Sequence, residues 1–178
     1  MSSHPDLLAL ARNALEARGW TIEVLAEATD DDEAVYLGVG DVLVSVVAAD
    51  DYSWPVMIGV MGDEPRHLFA QSMLPFEAEE GDEVPVMELL LRLGEGELNG
   101  AFDLDFEDGS ITFRTAVPVH ALLGVDPDVL SAWIGDVVEN NVTTVVEFLP
   151  AFEAVLHEGM APGLAVARLD VGLFDDDD

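Results

Sequence analysis

The stretch Asn99–Pro118, NGAFDLDFEDGSITFRTAVP, decides the fold. In its first half Phe102, Leu104 and Phe106 alternate with acidic residues, which is typical of a strand with one apolar face. The pair Asp108-Gly109 is a tight-turn signal. The second half alternates in the same way, through Ile111, Phe113, Thr115 and Val117. The stretch therefore predicts an antiparallel β-hairpin.

Upstream of the hairpin, the chain predicts one helix followed by a series of strands. Ser3 is the expected N-cap of the helix, and Gly19 stands where the helix should end. Alternating apolar residues and turn signals then predict the strands. The predicted strands are Trp20–Ala26, Ala34–Val39, Val42–Ala49, Val56–Met61 and His67–Leu74, with a turn at Gly40-Asp41.

A short helix is predicted from Pro85 to Leu93, and its apolar surface is unusually wide. On a helical wheel the apolar arc covers roughly 200°, against about 100° for a helix that is buried on one side. The arc includes Met87, Leu90 and Leu91, so two neighbours should cover the helix. We expect these three residues to lie at the interface of a homodimer. The alternative is that the final helix covers them within one chain.

The final helix is long. Asp126 is its expected N-cap and Pro127 its first residue, and the apolar phase continues past Pro150 to Leu156. Asn141 falls within the apolar stripe, where we expect a buried amide that is hydrogen-bonded to backbone or water. The predicted fold is α+β: an antiparallel sheet flanked by an N-terminal helix, a short apolar helix and a long C-terminal helix. Residues 1–160 should form one domain, followed by an acidic, partly disordered tail over 161–178.

The charge is extreme. The chain of 178 residues carries 37 acidic residues against six arginines and no lysine, a formal net charge of −31. Such a chain is repelled by nucleic acid and by anionic membranes, and it attracts partners with a basic surface. Adaptation to high salt is the other explanation of the acidity. With no cysteine, no signal-peptide pattern and no apolar run of about 18 residues, we expect a cytoplasmic location.

No motif for chemistry stands out, and we predict no catalytic, cofactor-binding or metal-binding residues. The acids Asp103, Asp105, Glu107 and Asp108 resemble a calcium loop only loosely, because apolar residues separate them and Gly109 comes one position late. The four histidines have no partner histidine at helical metal-site spacing. A carboxylate-based, metal-dependent enzyme remains an alternative, because acids are abundant.

The order of elements resembles the YbjN-like family. The resemblance rests on the leucine-rich stretch Leu89–Leu93, then Leu98-Asn99, the acidic strand Ala101–Asp105, the Asp108-Gly109 turn and the helix from Asp126. It implies a fold like that of type III secretion chaperones, which are small acidic proteins that usually form homodimers and carry out no chemistry. We therefore expect a chaperone-like or adaptor protein that engages a protein client, for which a basic nucleic-acid-binding protein is a candidate. A DNA-mimic regulator is a further alternative.

Overall fold

The computed structural model describes residues 6–25, 42–61, 67–95, 99–122 and 124–172. The predicted N-cap Ser3, the predicted strand Ala34–Val39 and the turn at Gly40-Asp41 lie outside the described residues. In the structure Asp6 caps the first helix, and its carboxylate accepts the N–H groups of Leu8 and Ala9 at 3.1 Å.

The described chain forms four helices and one six-stranded antiparallel sheet, which confirms the predicted α+β class. The sheet order is β1-β2-β3-β4-β6-β5. The elements are α1 (Leu7–Ala17), β1 (Glu23–Leu25), β2 (Val42–Ala49), β3 (Tyr52–Met61), β4 (His67–Glu77), α2 (Glu83–Leu93), β5 (Ala101–Leu104), β6 (Ser110–Pro118), a 3-10 turn (His120–Leu122), α3 (Pro127–Leu156) and α4 (Pro162–Gly172).

The core lies between one face of the sheet and the helices. Alternation along β3 directs Trp54, Val56 and Ile58 to this face, where all three are buried. The helix α3 covers β4 and β6 and also packs on α1. Asp126 caps α3 as predicted, and the helix runs through Pro150 without a break. The sheet and α3 together therefore bury most of the large apolar side chains.

Asn141 ties the sheet to α3. Its side chain is fully buried, and its amide nitrogen donates to Ala70 O and Phe113 O at 3.2 Å and to Thr115 Oγ1 at 3.1 Å. Its amide oxygen accepts from Ser72 Oγ at 2.8 Å. The buried amide expected from the sequence is thus satisfied by backbone and side-chain groups of β4 and β6.

The hairpin of β5 and β6 is confirmed, but its loop is longer than a two-residue turn. The strands end at Leu104 and resume at Ser110, and the five residues between them form the loop. Gly109 has φ 77°, a conformation that favours glycine, and its C=O accepts the N–H of Ala78 at 2.8 Å. This bond ties the loop to the end of β4.

The C-terminal region differs from the acidic tail expected over 161–178. Residues 162–172 form α4, which packs against α2 and α3. Pro162 begins the helix, where its missing N–H is tolerated, and Ala165 is buried in the core. Tertiary contact stabilises a segment whose own apolar periodicity is weak. The final four aspartates lie outside the described residues.

Candidate protein-binding surface

The helix α2 has one face built into the core. Val86, Leu89 and Leu93 recur at helical spacing and are all buried. The helix contacts α4 and α3 on this side and touches β5. Its inner half is therefore an ordinary part of the core.

The outer side of α2 also carries apolar side chains, beside the charged pair Glu88 and Arg92, and these apolar side chains are exposed. Val84 is 70% exposed, Met87 39% and Leu91 76%. Their spacing of three and four residues places them along one line of the helix. We call these three residues the α2 stripe. Other exposed apolar side chains, such as Val46 and Phe106, lie on different elements.

The residues predicted for a dimer interface divide between the two halves of α2. Met87 and Leu91 belong to the exposed stripe, whereas Leu90 is half-buried and packs against the core. The alternative, in which α3 covers Met87 and Leu91, is not what the structure shows. Val84 was missed because the predicted helix began at Pro85, whereas α2 begins at Glu83.

Acidic residues surround the α2 stripe. Glu80, Glu88 and Glu95 are exposed at its ends and flank. The nearest cation on the helix is Arg92, whose guanidinium pairs with Glu88 at 2.8 Å. Among the described residues, no ion pair involves Glu80 or Glu95, which precede and follow α2. The stripe is therefore an apolar contact within a negative field, which favours a cationic partner.

The small apolar area of the α2 stripe limits the binding free energy that it can contribute on its own. Full burial of a valine, leucine or methionine side chain stabilises by about 1.5–3 kcal/mol. Scaled by the exposed fractions of 70%, 39% and 76%, complete burial of the stripe contributes about 3–6 kcal/mol. Association itself costs about 4–15 kcal/mol, so a stable complex needs additional contacts or charge attraction.

The acidic residues that resemble a calcium loop form hydrogen bonds and an ion pair within the β5–β6 hairpin. Asp103 pairs with Arg114 at 2.9 Å, and Asp105 accepts the N–H of Glu107 at 2.7 Å. Asp108 accepts the N–H of Ser110 at 2.8 Å, and this bond lowers the pKa of Asp108 below its usual value. These oxygens are thus engaged in loop and strand contacts rather than directed at one point.

Within the described ranges, no three histidine, aspartate or glutamate side chains come together in a group that could hold a metal ion. Of the histidines, His67 begins β4, His120 begins the 3-10 turn and His157 follows α3, whereas His4 lies outside the described residues. The pKa of Tyr52 is raised by burial and by the neighbouring Glu153 carboxylate, so its phenol stays protonated.

The fold and this surface define a class: an acidic α+β protein whose antiparallel sheet is covered by helices, one of which exposes an apolar stripe. Comparison with protein-family models, with curated proteins and with solved structures found no match. Among the helices in the described part of the chain, none has both the length and the apolarity needed to cross a membrane.

Proposed function

We propose that the protein is a non-enzymatic binding protein, of a chaperone-like or adaptor kind, and that the α2 stripe contacts its client. The observation that carries this proposal is the exposure of Val84, Met87 and Leu91 on a helix surrounded by carboxylates. Exposed apolar residues at helical spacing are a common contact for an amphipathic partner helix. The acidic surroundings favour a client that carries lysine and arginine beside its apolar face.

Nucleic-acid-binding proteins are a natural source of such clients, because they carry basic surfaces. A net charge of −31 produces a field of the same sign as a phosphate backbone, so it steers the protein towards the same patches. The same charge argument supports the alternative of a DNA mimic, which would occupy the basic surface of a nucleic-acid-binding protein. The carboxylate-based enzyme gains no support from the described residues, whose acids are spread over the surface.

A homodimer through the same face is the competing proposal. Burying two stripes against each other contributes about 6–11 kcal/mol, which overlaps the cost of association. It also brings together two chains that each carry a charge of −31, and their repulsion opposes pairing at low salt. We therefore favour a basic client as the occupant of the stripe, with a second copy as the outcome to be tested.

Binding of a defined peptide tests the proposal. The probe is a labelled amphipathic helix of about 18 residues, built from leucine and lysine at helical spacing, and the comparison probe carries glutamate in place of lysine. Fluorescence anisotropy is measured at about 50 and about 500 mM NaCl. We expect Leu91→Glu to weaken binding at least tenfold, because it places a charge within the apolar contact.

The matched control is Phe106→Glu, which makes the same change of charge at a 66% exposed position on the β5–β6 loop. It should alter affinity less than about twofold, a change of under 0.5 kcal/mol. Equal changes in affinity in both variants would refute a role for the stripe, because the added carboxylate is the only change that they share, and by charge alone it strengthens attraction to the lysine probe. Light scattering measures the oligomeric state and so tests the homodimer. If the wild type is a dimer and Leu91→Glu is a folded monomer, the stripe contacts a second copy of the chain rather than a client.

A further inference from the structure

The charge around the α2 stripe is distributed unevenly between the two ends of the helix. Residues 79–83, which lead into α2, contain four acids and no cation. Residues 84–95, which carry the stripe, contain Glu88, Arg92 and Glu95, and Glu88 pairs with Arg92 at 2.8 Å. The net charge is therefore −4 over the first five residues and −1 over the next twelve.

Hydrogen bonds hold the acidic turn over residues 79–83 against the start of α2. The N–H of Asp82 donates to the C=O of Glu79 at 2.9 Å. The Glu83 carboxylate accepts the N–H of Gly81 at 2.8 Å, and Gly81 has φ 104°, a conformation that favours glycine. The acidic turn therefore has a defined position next to Val84, the first residue of the α2 stripe.

Part of this charge stabilises α2 itself, and part is available to a partner. Asp82 and Glu83 are half-buried at the N-cap and in the first turn, where a negative charge complements the helix dipole. Glu79 and Glu80 are exposed and precede the helix. Within the described ranges neither forms an ion pair. Their charges can therefore act on a bound client.

The two ends of α2 are far enough apart for a client to distinguish them. The eleven residues of the helix span about 17 Å. The Debye length is about 8 Å at an ionic strength of 0.15 M, so charges at one end are largely screened from the other. A cation of the client is thus attracted more strongly to the end that carries Glu79 and Glu80.

We propose that the client helix lies antiparallel to α2, with its apolar face on the α2 stripe and its lysine and arginine residues gathered at its C-terminal end, over Glu79 and Glu80. Cations at the C-terminus of a helix also stabilise that helix, because they complement its dipole. A client whose cations must lie at one end therefore gains most when that end is the C-terminal one. The remainder of its face, opposite the paired Glu88 and Arg92, is uncharged.

The arrangement rests on the proposed function, to which it adds the direction of the client helix and the position of its charges. Because this direction comes from charge, the preference for one end of α2 should fade at about 500 mM NaCl. The apolar contact with the α2 stripe persists at that salt concentration, since burial of apolar surface does not depend on screening.

Two peptides of the same composition test the direction. Both are amphipathic helices of about 18 residues with the same leucine face, and each carries a nitroxide at its C-terminus. One has its lysines in the last two turns, and the other has them in the first two. In about 50 mM NaCl the first peptide should bind at least twofold tighter, because it forms two more exposed ion pairs. Its nitroxide should broaden the NMR amide signals of Glu79 and Glu80 more than those of Leu93 and Glu95.

The two peptides also differ in their own helicity, so variants of the protein isolate the contact. Glu80→Arg and Glu95→Arg make the same change of charge at exposed positions at opposite ends of α2. The free peptide is the same in both measurements, so a difference between the variants reports where its lysines lie. Glu80→Arg should weaken binding of the peptide with C-terminal lysines at least twofold more than Glu95→Arg does.

Failure of the direction can be distinguished from failure of the proposed function. If Leu91→Glu weakens binding, the stripe is the contact. Equal affinities of the two peptides, equal effects of Glu80→Arg and Glu95→Arg, or stronger broadening at Leu93 would then each overturn the antiparallel arrangement alone. If neither peptide binds, or if Leu91→Glu has no effect, both proposals are overturned. The broadening is measured on the wild-type protein, so the test does not depend on how any variant folds.

Discussion

Replacing Asn141 by leucine tests how much the buried amide contributes to the fold. The substitution removes one donor group and one acceptor from a fully buried site while keeping a similar side-chain volume. Ser72 Oγ loses its acceptor and Thr115 Oγ1 loses its donor. The carbonyls of Ala70 and Phe113 point across the β4–β6 ladder and keep partners there.

A buried polar group without a partner costs about 1–3 kcal/mol. With two hydroxyls affected, Asn141→Leu should lower the free energy of unfolding by about 2–6 kcal/mol. Urea titration followed by tryptophan fluorescence measures the loss, because Trp54 is only 1% exposed in the folded protein. The dependence of the free energy on urea should stay unchanged, since the same surface is exposed on unfolding.

A companion variant separates this reasoning from simple overpacking. Adding Ser72→Ala and Thr115→Val to Asn141→Leu removes the two stranded hydroxyls, and replacing all partners by apolar groups can be nearly neutral. The triple variant should therefore recover at least half of the lost stability. A loss below about 1 kcal/mol in the single variant, or a triple variant no more stable than the single one, would refute the account of the network.

Three further outcomes follow from the structure. The melting temperature should rise between low salt and about 1 M NaCl, because screening weakens repulsion among 37 acids; a flat or falling value would contradict this. Gly135→Ala should change the melting temperature by less than about three degrees, because the roughly 1 kcal/mol that alanine adds to a helix interior offsets the contact with Ala132 O, at 3.1 Å, that the displaced Arg18 guanidinium loses; a larger fall would contradict this. Ser131→Ala, which removes only a hydroxyl contact with Leu10 O on α1, is the comparison. The backbone N–H of Ser110 lowers the folded-state pKa of Asp108 below its ordinary value, so the contribution of Asp108 to stability is present above that ordinary value and is lost as the pH falls through the folded-state pKa. The difference in unfolding midpoint between wild type and Asp108→Asn should accordingly shrink below about pH 3.8, and a constant difference would argue against this contribution.

The sequence was a good guide where periodicity is strong. Alternation from Phe102 to Val117 predicted the hairpin, and the apolar phase from Leu130 to Leu156 predicted α3 with its Asp126 cap. The five-residue loop was missed because Asp108-Gly109 reads as a two-residue turn, whereas the bond from Ala78 N–H to Gly109 C=O fixes a longer one. Local sequence signals therefore predict the type of each element more reliably than its first and last residues.

The surface that carries the proposed function was harder to predict from the sequence. The wide apolar arc of α2 was visible, but which half is covered depends on α4, a helix with weak periodicity of its own. The difference in length between β5 and β6 is likewise set by strand pairing, and no single motif encodes it. Both features arise from contacts between segments distant in the chain, so they appear only once the fold is known.

The position of Asn141 in the chain bears on how the protein folds during synthesis. The strands that it joins are complete by Pro118, yet the helix that carries it ends only at Leu156. From the end of β6 at Pro118, 38 more residues must be made before α3 is finished. At about 5–20 residues per second, the completed strands lack this helix for roughly 2–8 s. This interval is when the growing chain depends most on other proteins to keep it from aggregating.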